Sequence, residues 1–194
     1  MATSTMTARC AAGYDRAAQR YHACWGPIIA PASVRLLDEL DGIGDRASGA
    51  VVLDIGVGTG TGALAALRRW PNARLTGVDP SRGMLAIARR EAAEAGVAHR
   101  LTLLEAPAAG LPLPDASVDA ALSAFVLQLV PSRAAALREA LRVLRPGGTL
   151  ALVSWVAGGR PFRPDDAFLD AADAVGVELP DPGRARPFAS VDAA

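Results

Sequence analysis

Beyond Ala50 the chain alternates between short apolar runs and longer amphipathic stretches, and this alternation restricts the fold more than any other feature. Val51 to Ile55 is a mostly β-branched run, the pattern of a strand buried on both faces. A short helix over Gly62 to Trp70 follows and is stopped by Pro71. Arg74 to Asp79 reads as the next strand. Ser81 then supplies an N-cap for a helix with Met84, Leu85 and Ala88 on one face and Gly96 as its stop. Arg100 to Leu104 is a third strand. The Pro-rich loop "LPLPDASVD" leads into a fourth, Val118 to Ala124. Pro131 to Leu144 has helical spacing, with Leu137, Leu141 and Leu144 expected inward. "RPGG", Arg145 to Gly148, reads as a turn before a fifth strand, Thr149 to Val156. Strands alternating with helices give an α/β, Rossmann-like, doubly wound and mainly parallel sheet with helices on both faces.

The first part of the chain is different. Arg9 to Tyr21 is Ala-rich, with Tyr14 and Tyr21 at helical spacing. Gly26-Pro27 is expected to break that helix, and Ser33 to Leu40 forms a second with Val34, Leu37 and Leu40 on one side, ended by Gly42 to Gly44. Three parts follow: an N-terminal helical lid over 1–46, an α/β core over 47–160, and a helix (Asp165 to Val175) with a Pro- and Ala-rich tail in 161–194. The length of 194 residues suits one main core.

Composition excludes several functions. The formal net charge is zero, so the chain has no electrostatic footprint for nucleic acid or an anionic membrane. Every basic residue is Arg. With the abundance of Ala, this reads as a coding bias, which lowers the weight of any Arg cluster. Cys10 and Cys24 make neither a disulfide framework nor a zinc site, and no metal-ligand cluster is visible. "MATSTMTARC" has no apolar core of a signal peptide. The apolar stretch Ala120 to Val130 is too short to span a bilayer. The expectation is a cytoplasmic domain; oligomeric state has no signature in the sequence.

The stretch "VVLDIGVGTGTGAL" places Gly56, Gly58, Gly60 and Gly62 between the first strand and its helix. In a parallel sheet the ligand lies beyond the carboxyl ends of the strands, where the helix N-terminus offers unpaired N–H groups. The pattern from Asp54 to Gly60 is D-x-G-x-G-x-G, with Thr61 where a dinucleotide fingerprint needs its third glycine. No Gly-Lys-Ser/Thr follows, which excludes a P-loop. The acidic Asp54 suits a cationic ligand such as an amino group or a sulfonium. Asp79, at the end of the second strand in "GVDPS", is placed to accept both hydroxyls of a ribose.

At these residues the chain resembles the class I S-adenosylmethionine-dependent methyltransferases of the small-molecule type, from about Tyr14 to Trp155. "VLDIGVGTG", "GVDPSRGMLAIAR", "LPLPDASVDAALSAFVLQLVP" and "EALRVLRPGGTLALVSW" are similar to four motifs of that family, in order. The resemblance implies S-adenosylmethionine as cofactor and a small-molecule methyl acceptor. It implies that Asp54 and Gly56 line the methionine moiety, that Gly58, in the same cofactor-binding loop as Gly60, meets the cofactor backbone-on, and that Asp79 holds the ribose. Pro80 and Met84 would lie against the adenine, Ala108 would give its N–H to the adenine edge, and Ser123 and Ala124 would face the methionine part. Tyr14, Tyr21 and Trp25 become candidate lid aromatics. The sequence departs from the family at Pro107, where an acidic residue is usual. It also shows five strands where the family has seven, so the last strands are expected to be missing.

Methyl transfer is a direct displacement, so a dedicated acid–base residue is optional. His22, in the lid region, is a candidate base, and Gln128, just past the fourth strand, is a candidate for orienting the acceptor. Two other readings stay open: a non-catalytic cofactor-binding or interaction domain, and a nicotinamide-dependent oxidoreductase.

Overall fold

The strands β1 (Val51–Ile55), β2 (Arg74–Asp79), β3 (Leu101–Glu105), β4 (Val118–Ala124) and β5 (Leu144–Val153) form one sheet in the order β3-β2-β1-β4-β5. Every neighbouring pair is parallel. The structure is a computed structural model and describes residues 2–43 and 49–155. The expected end of the first part near Gly44, the last residue of the expected fifth strand (Val156) and the helix Asp165 to Val175 lie outside the described residues. The chain winds outward from β1 to β3, then returns to β4 on the other side of β1. That reversal opens a crevice at the carboxyl ends of β1 and β4.

β1 is buried because its neighbours cover both edges and helices cover its faces; Val52 and Leu53 have no exposed surface. Its register pairs Val52 with Leu75 on one side and Ala120 on the other. Helices α2 (Thr61–Arg69) and α3 (Arg82–Glu94) follow β1 and β2. The main apolar cluster joins Val52, Leu75, Ala120 and Leu122 of the sheet to Ala63 and Leu67 of α2. Ser81 caps α3 as expected: its hydroxyl accepts from the Met84 N–H at 3.1 Å. Gly96 follows the helix with φ +71.

The N-terminal part corrects the sequence reading. A single helix, α1 (Ala2–Arg35), runs through Gly26, Pro27 and Pro31 and passes into a 3-10 segment, Leu36–Ile43. Each interior proline costs about 3 kcal/mol locally. Tertiary packing offsets this: Ala18 seats on Met84 and Ile87 of α3, and Leu36, Leu37, Leu40 and Ile43 enter the main core. Four such side chains contribute on the order of 1.5–3 kcal/mol each. Val34, which the spacing puts on one side with Leu37 and Leu40, is exposed, and Leu36 is buried beside them.

β5 begins earlier than expected. Val118 pairs with Leu144, but Ala120 already pairs with Thr149, so "RPGG" is an irregularity inside the strand and not a turn before it. Gly147 has φ +74 there. Arg145 reaches back to Asp119 (Nη1–Oδ1, 2.7 Å), and the other oxygen of Asp119 accepts the Val51 N–H at 2.8 Å. Of the leucines expected inward, Leu144 is buried but already belongs to β5 and Leu137 is half-buried, while the helix α4 (Arg133–Val143) itself buries smaller side chains. Ala136, Ala140 and Val143 are buried, and Leu141 is exposed. α4 lies close against the sheet through its alanines, and the larger Leu141 stays outside.

Arg142 on α4 holds the Pro-rich loop before β4. Its guanidinium donates to the carbonyls of Leu111 and Leu113 and pairs with Asp115 and Glu139, while Glu139 accepts the Leu111 N–H. The neighbouring Arg142 pulls the Glu139 carboxyl down to about 2. A carboxyl depressed on folding stabilises fully above its unfolded pKa, near 4.3, and loses that contribution as pH falls toward 2. Arg142→Ala is therefore expected to lower the urea midpoint at pH 7, and to lower it less at pH 3. A cost that does not shrink on acidification would rule out the ion pair as its source.

Met1–Val153 make up one compact unit; of the second unit only Ser154 and Trp155 are described. Among the described residues no helix is long and apolar enough to cross a membrane, and no three His, Cys, Asp or Glu side chains converge as metal ligands.

Candidate functional site

The glycine loop leaves β1 by a tight turn. The N–H groups of Gly56 and Val57 both donate to the Val78 carbonyl of β2, at 2.8 and 3.0 Å. Gly56 has φ +74, and a Cβ on it would lie 2.2 Å from Cγ2 of Val126. Glycine is thus required twice over, by backbone conformation and by the approach of the loop after β4. Gly58 has φ +53 and lies on the cleft, where its missing Cβ would meet only the Gly56 carbonyl, at 3.9 Å. The backbone here is bare toward open space. Gly60, in the left-handed region, stands at the N-cap of α2.

Asp79 ends β2 and is nearly buried. One carboxylate oxygen accepts the Gly58 N–H at 3.0 Å and the other the Ser81 N–H at 2.9 Å. Two of about four acceptor positions are thereby used, leaving the carboxylate oriented toward the cleft with capacity for further donors. Burial raises its pKa, against the pull of these two N–H groups.

Asp54 lies one strand away at the foot of α2. Burial, reinforced by Asp79, pushes its carboxyl up to about 7, while the Ala63 N–H works in the opposite direction. A side chain on Gly62 would stand 3.2 Å from its Oδ2. A carboxyl whose pKa rises on folding stabilises fully below its unfolded pKa, near 3.9, and loses that contribution as pH climbs through 7. Asp54→Asn removes the burdened charge. The variant's melting temperature is expected to gain on the parent's steadily as pH rises from 4 to 8, by scanning calorimetry. A pH-independent difference would refute the assignment.

The cleft measures about 860 Å³ including the part open to solvent. Its floor and one side are Gly56, Gly58, Asp79, Pro80 and Met84; Pro107, Ala108 and Ala124 continue the wall. α1 covers it with Thr7, Cys10, Tyr14 and Tyr21, whose two tyrosine rings meet edge to face at 5.7 Å. The segment after β4 closes the remaining side with Phe125, Val126, Leu129, Val130 and Pro131. Asp54 faces an adjoining recess shared with Gly56 and Gly58.

Several expected residues stand elsewhere. Trp25 is half-exposed and does not line the cleft. His22 pairs with Glu91 of α3 at 3.3 Å. Gln128 is buried and its amide donates to the Phe125 carbonyl at 2.6 Å, so it closes a turn. Ser123 donates to the Ile55 carbonyl at 3.1 Å, joining β4 to β1 beneath the cleft. The apolar wall from Phe125 to Pro131 escaped the sequence reading, although an apolar loop directly after a strand's carboxyl end was its signal. Phe125 holds φ +58, an uncommon conformation for a bulky side chain, fixed by its N–H on the Val153 carbonyl at 2.8 Å.

Comparison with known proteins fits this geometry. The family described as "Methyltransferase domain" matches residues 52–148. The ubiquinone/menaquinone biosynthesis C-methyltransferase UbiE of Geobacter sulfurreducens is 39% identical over 108 residues, covering 55% of this chain and 42% of that protein. The 27-O-demethylrifamycin SV methyltransferase of Amycolatopsis mediterranei is 34% identical over 152 residues, covering 72% and 56%. The chain thus spans about half the length of these curated relatives. Among solved structures, the [4+2]-cyclase SpnF superposes with a TM-score of 0.57 at 33% identity, covering 76% of this chain and 59% of that one. The matched span runs from β1 through the irregular start of β5 and so contains the glycine loop and Asp79; the chain belongs to the methyltransferase-domain family, with the class I, S-adenosylmethionine-dependent fold.

Proposed function

We propose that this chain binds S-adenosylmethionine in the cleft and transfers its methyl group to an uncharged, largely apolar small molecule. The observation that carries the reading is the junction of bare glycine backbone at Gly58 with a fixed, nearly buried Asp79 at the edge of an apolar cleft. S-adenosylmethionine supplies a methyl group on a positively charged sulfur, already activated for displacement. Asp79 accepts the ribose hydroxyls with its spare lone pairs. Pro80, Met84, Pro107 and Ala108 form the adenine wall. Pro107 gives no side-chain acceptor there, so Ala108 contributes recognition through its N–H. Asp54, Gly56 and Ala124 shape the methionine end, with Asp54 as the counter-charge, while Gly60 opens α2 and Ser123 braces β4 on β1 behind them. Alignment of reactants alone can supply about 7–11 kcal/mol of a displacement barrier. His22 and Gln128 are engaged elsewhere, so no base is assigned.

The acceptor class follows from the walls. Among the described lining residues of the main cleft, Asp79 is the one charged side chain, and Phe125, Val126, Leu129 and Val130 are apolar. An anionic acceptor would meet the Asp79 carboxylate and, among the described lining residues, no cationic side chain. Titration calorimetry should detect S-adenosylhomocysteine and not NAD. Radiolabelled methyl transfer should favour neutral phenols or hydroquinones over carboxylates and phosphates. Binding of NAD alone would overturn the cofactor, and preference for anionic acceptors would overturn the class. Likeness to the cyclase SpnF supports a second reading, in which the cofactor is held while the cleft serves other chemistry. Cofactor binding without label transfer to any acceptor would favour it.

A further inference from the structure

α1 meets α3 along the stripe Tyr14, Asp15, Ala18, Tyr21 and His22. The apolar part of this contact is a small cluster of Ala18, Met84 and Ile87 with the two tyrosines, separate from the main core. Its polar part is the His22–Glu91 pair at one end and a single carboxylate oxygen at the other. Oδ1 of Asp15 accepts the Ser81 hydroxyl at 2.6 Å and the Gly83 N–H at 2.8 Å. Both donors stand at the N-terminus of α3, whose first N–H groups lack partners within the helix. These hydrogen bonds hold the Asp15 carboxyl below its usual range. The helices come together here because residue 83 has no side chain: a Cβ would lie 3.0 Å from the Asp15 carbonyl oxygen and 3.3 Å from Cβ of Ala18.

Ser81 links this contact to the site. Its hydroxyl donates to Asp15, while its N–H donates to Asp79, whose other oxygen holds Gly58. The same helix α1 walls the cleft with Thr7, Cys10, Tyr14 and Tyr21. We infer that Asp15 is a latch: it fastens α1 over the cleft by gripping Ser81 and Gly83, and so sets how long a ligand held by Asp79 is retained. Asp15 is a positioning residue. It does not line the cleft, and it acts through Ser81 and through the seating of Tyr14 and Tyr21. The retention part rests on the cofactor reading above, whereas the latch itself does not.

The test is hydrogen exchange on the full chain without ligand, followed by the dissociation rate of S-adenosylhomocysteine. Asp15→Ala is expected to accelerate amide exchange over residues 8–22 about ten-fold and to leave β1, β2 and β4 protected. S-adenosylhomocysteine should dissociate faster by a similar factor, the low end of the scale for losing hydrogen bonds to a charged group. Asp15→Asn keeps an oxygen acceptor at the same place and should restore most of the protection and retention. Unchanged exchange in α1, or acceleration across α1 and sheet alike, would overturn the latch, as would an Asn variant as open as the Ala variant. Parent protein that fails to bind S-adenosylhomocysteine defeats the cofactor reading instead, and the exchange comparison still decides the latch. If Asp15→Ala does not fold, Gly83→Ala, which props the helices apart from the other side, should give the same local opening.

Discussion

Gly56→Ala is expected to abolish measurable binding of S-adenosylhomocysteine while leaving the sheet folded. At φ +74 any side chain is strained, by about 1–2 kcal/mol. The new methyl would lie 2.2 Å from Cγ2 and 3.1 Å from Cβ of Val126, so more than the tip of that side chain must move. Overpacking of this kind costs about 1–3 kcal/mol. The sum, roughly 2–5 kcal/mol, is within the stability of an ordinary domain, so the chain should fold but melt on the order of 10 °C lower. The strain falls between the glycine loop and the wall after β4, and ligand affinity should drop at least about 100-fold. Val126→Ala removes the two methyls nearest to the clash and should recover part of the melting temperature in the double variant. A Gly56→Ala protein that binds as the parent does would mean the ligand lies elsewhere.

Asp79→Ala should separate affinity from stability. Hydrogen bonds to a charged group contribute about 1.5–3 kcal/mol, so affinity for S-adenosylhomocysteine is expected to fall roughly ten- to 150-fold. The melting temperature should move much less. Burial raises the pKa of this carboxyl, which marks its charge as a burden in the free protein that partly cancels the bonds from Gly58 and Ser81. Asp79→Asn should not rescue binding. It accepts at one position only, so its amide NH2 must face one of the two N–H donors. Calorimetric titration and melting of all three proteins give the comparison. Equal affinity in the parent and Asp79→Ala would remove Asp79 from the ribose.

The parts of this fold that the sequence announced are those governed by local rules. β1, β2 and β4 lie at their expected bounds: β1 is closed by Gly56, β2 by its own Asp79, and β4 starts where the polar, Pro-rich loop ends. Gly56, Gly58 and Asp79 were readable because strand ends in a parallel sheet converge on one crevice. Other features were settled by distant contacts. The helix through Pro27 and Pro31 depends on the packing of Ala18 midway along it and of Leu36 to Ile43 just beyond it. The inward face of α4 went to Ala136 and Ala140 because a close approach to the sheet favours small residues over Leu141. Asp15 meets a serine 66 residues further along, and no spacing rule links the two. His22 and Gln128 were singled out by residue type, and their hydrogen bonds turn them to other partners.

The positive-φ turn at Phe125 hangs on the end of β5, through its N–H on Val153, whereas the glycine loop and Asp79 belong to β1 and β2 at the middle of the sheet. The two halves of the cleft therefore answer to different parts of the architecture. Among the described residues β5 is the outer strand, and its free side can change partners or drift in sequence without disturbing the central ladder. Such changes reach the Phe125–Pro131 wall first. Substitutions in β5 or along Phe125–Pro131 are therefore expected to change which acceptor fits, and to leave the half of the cleft at Gly58 and Asp79 as it is.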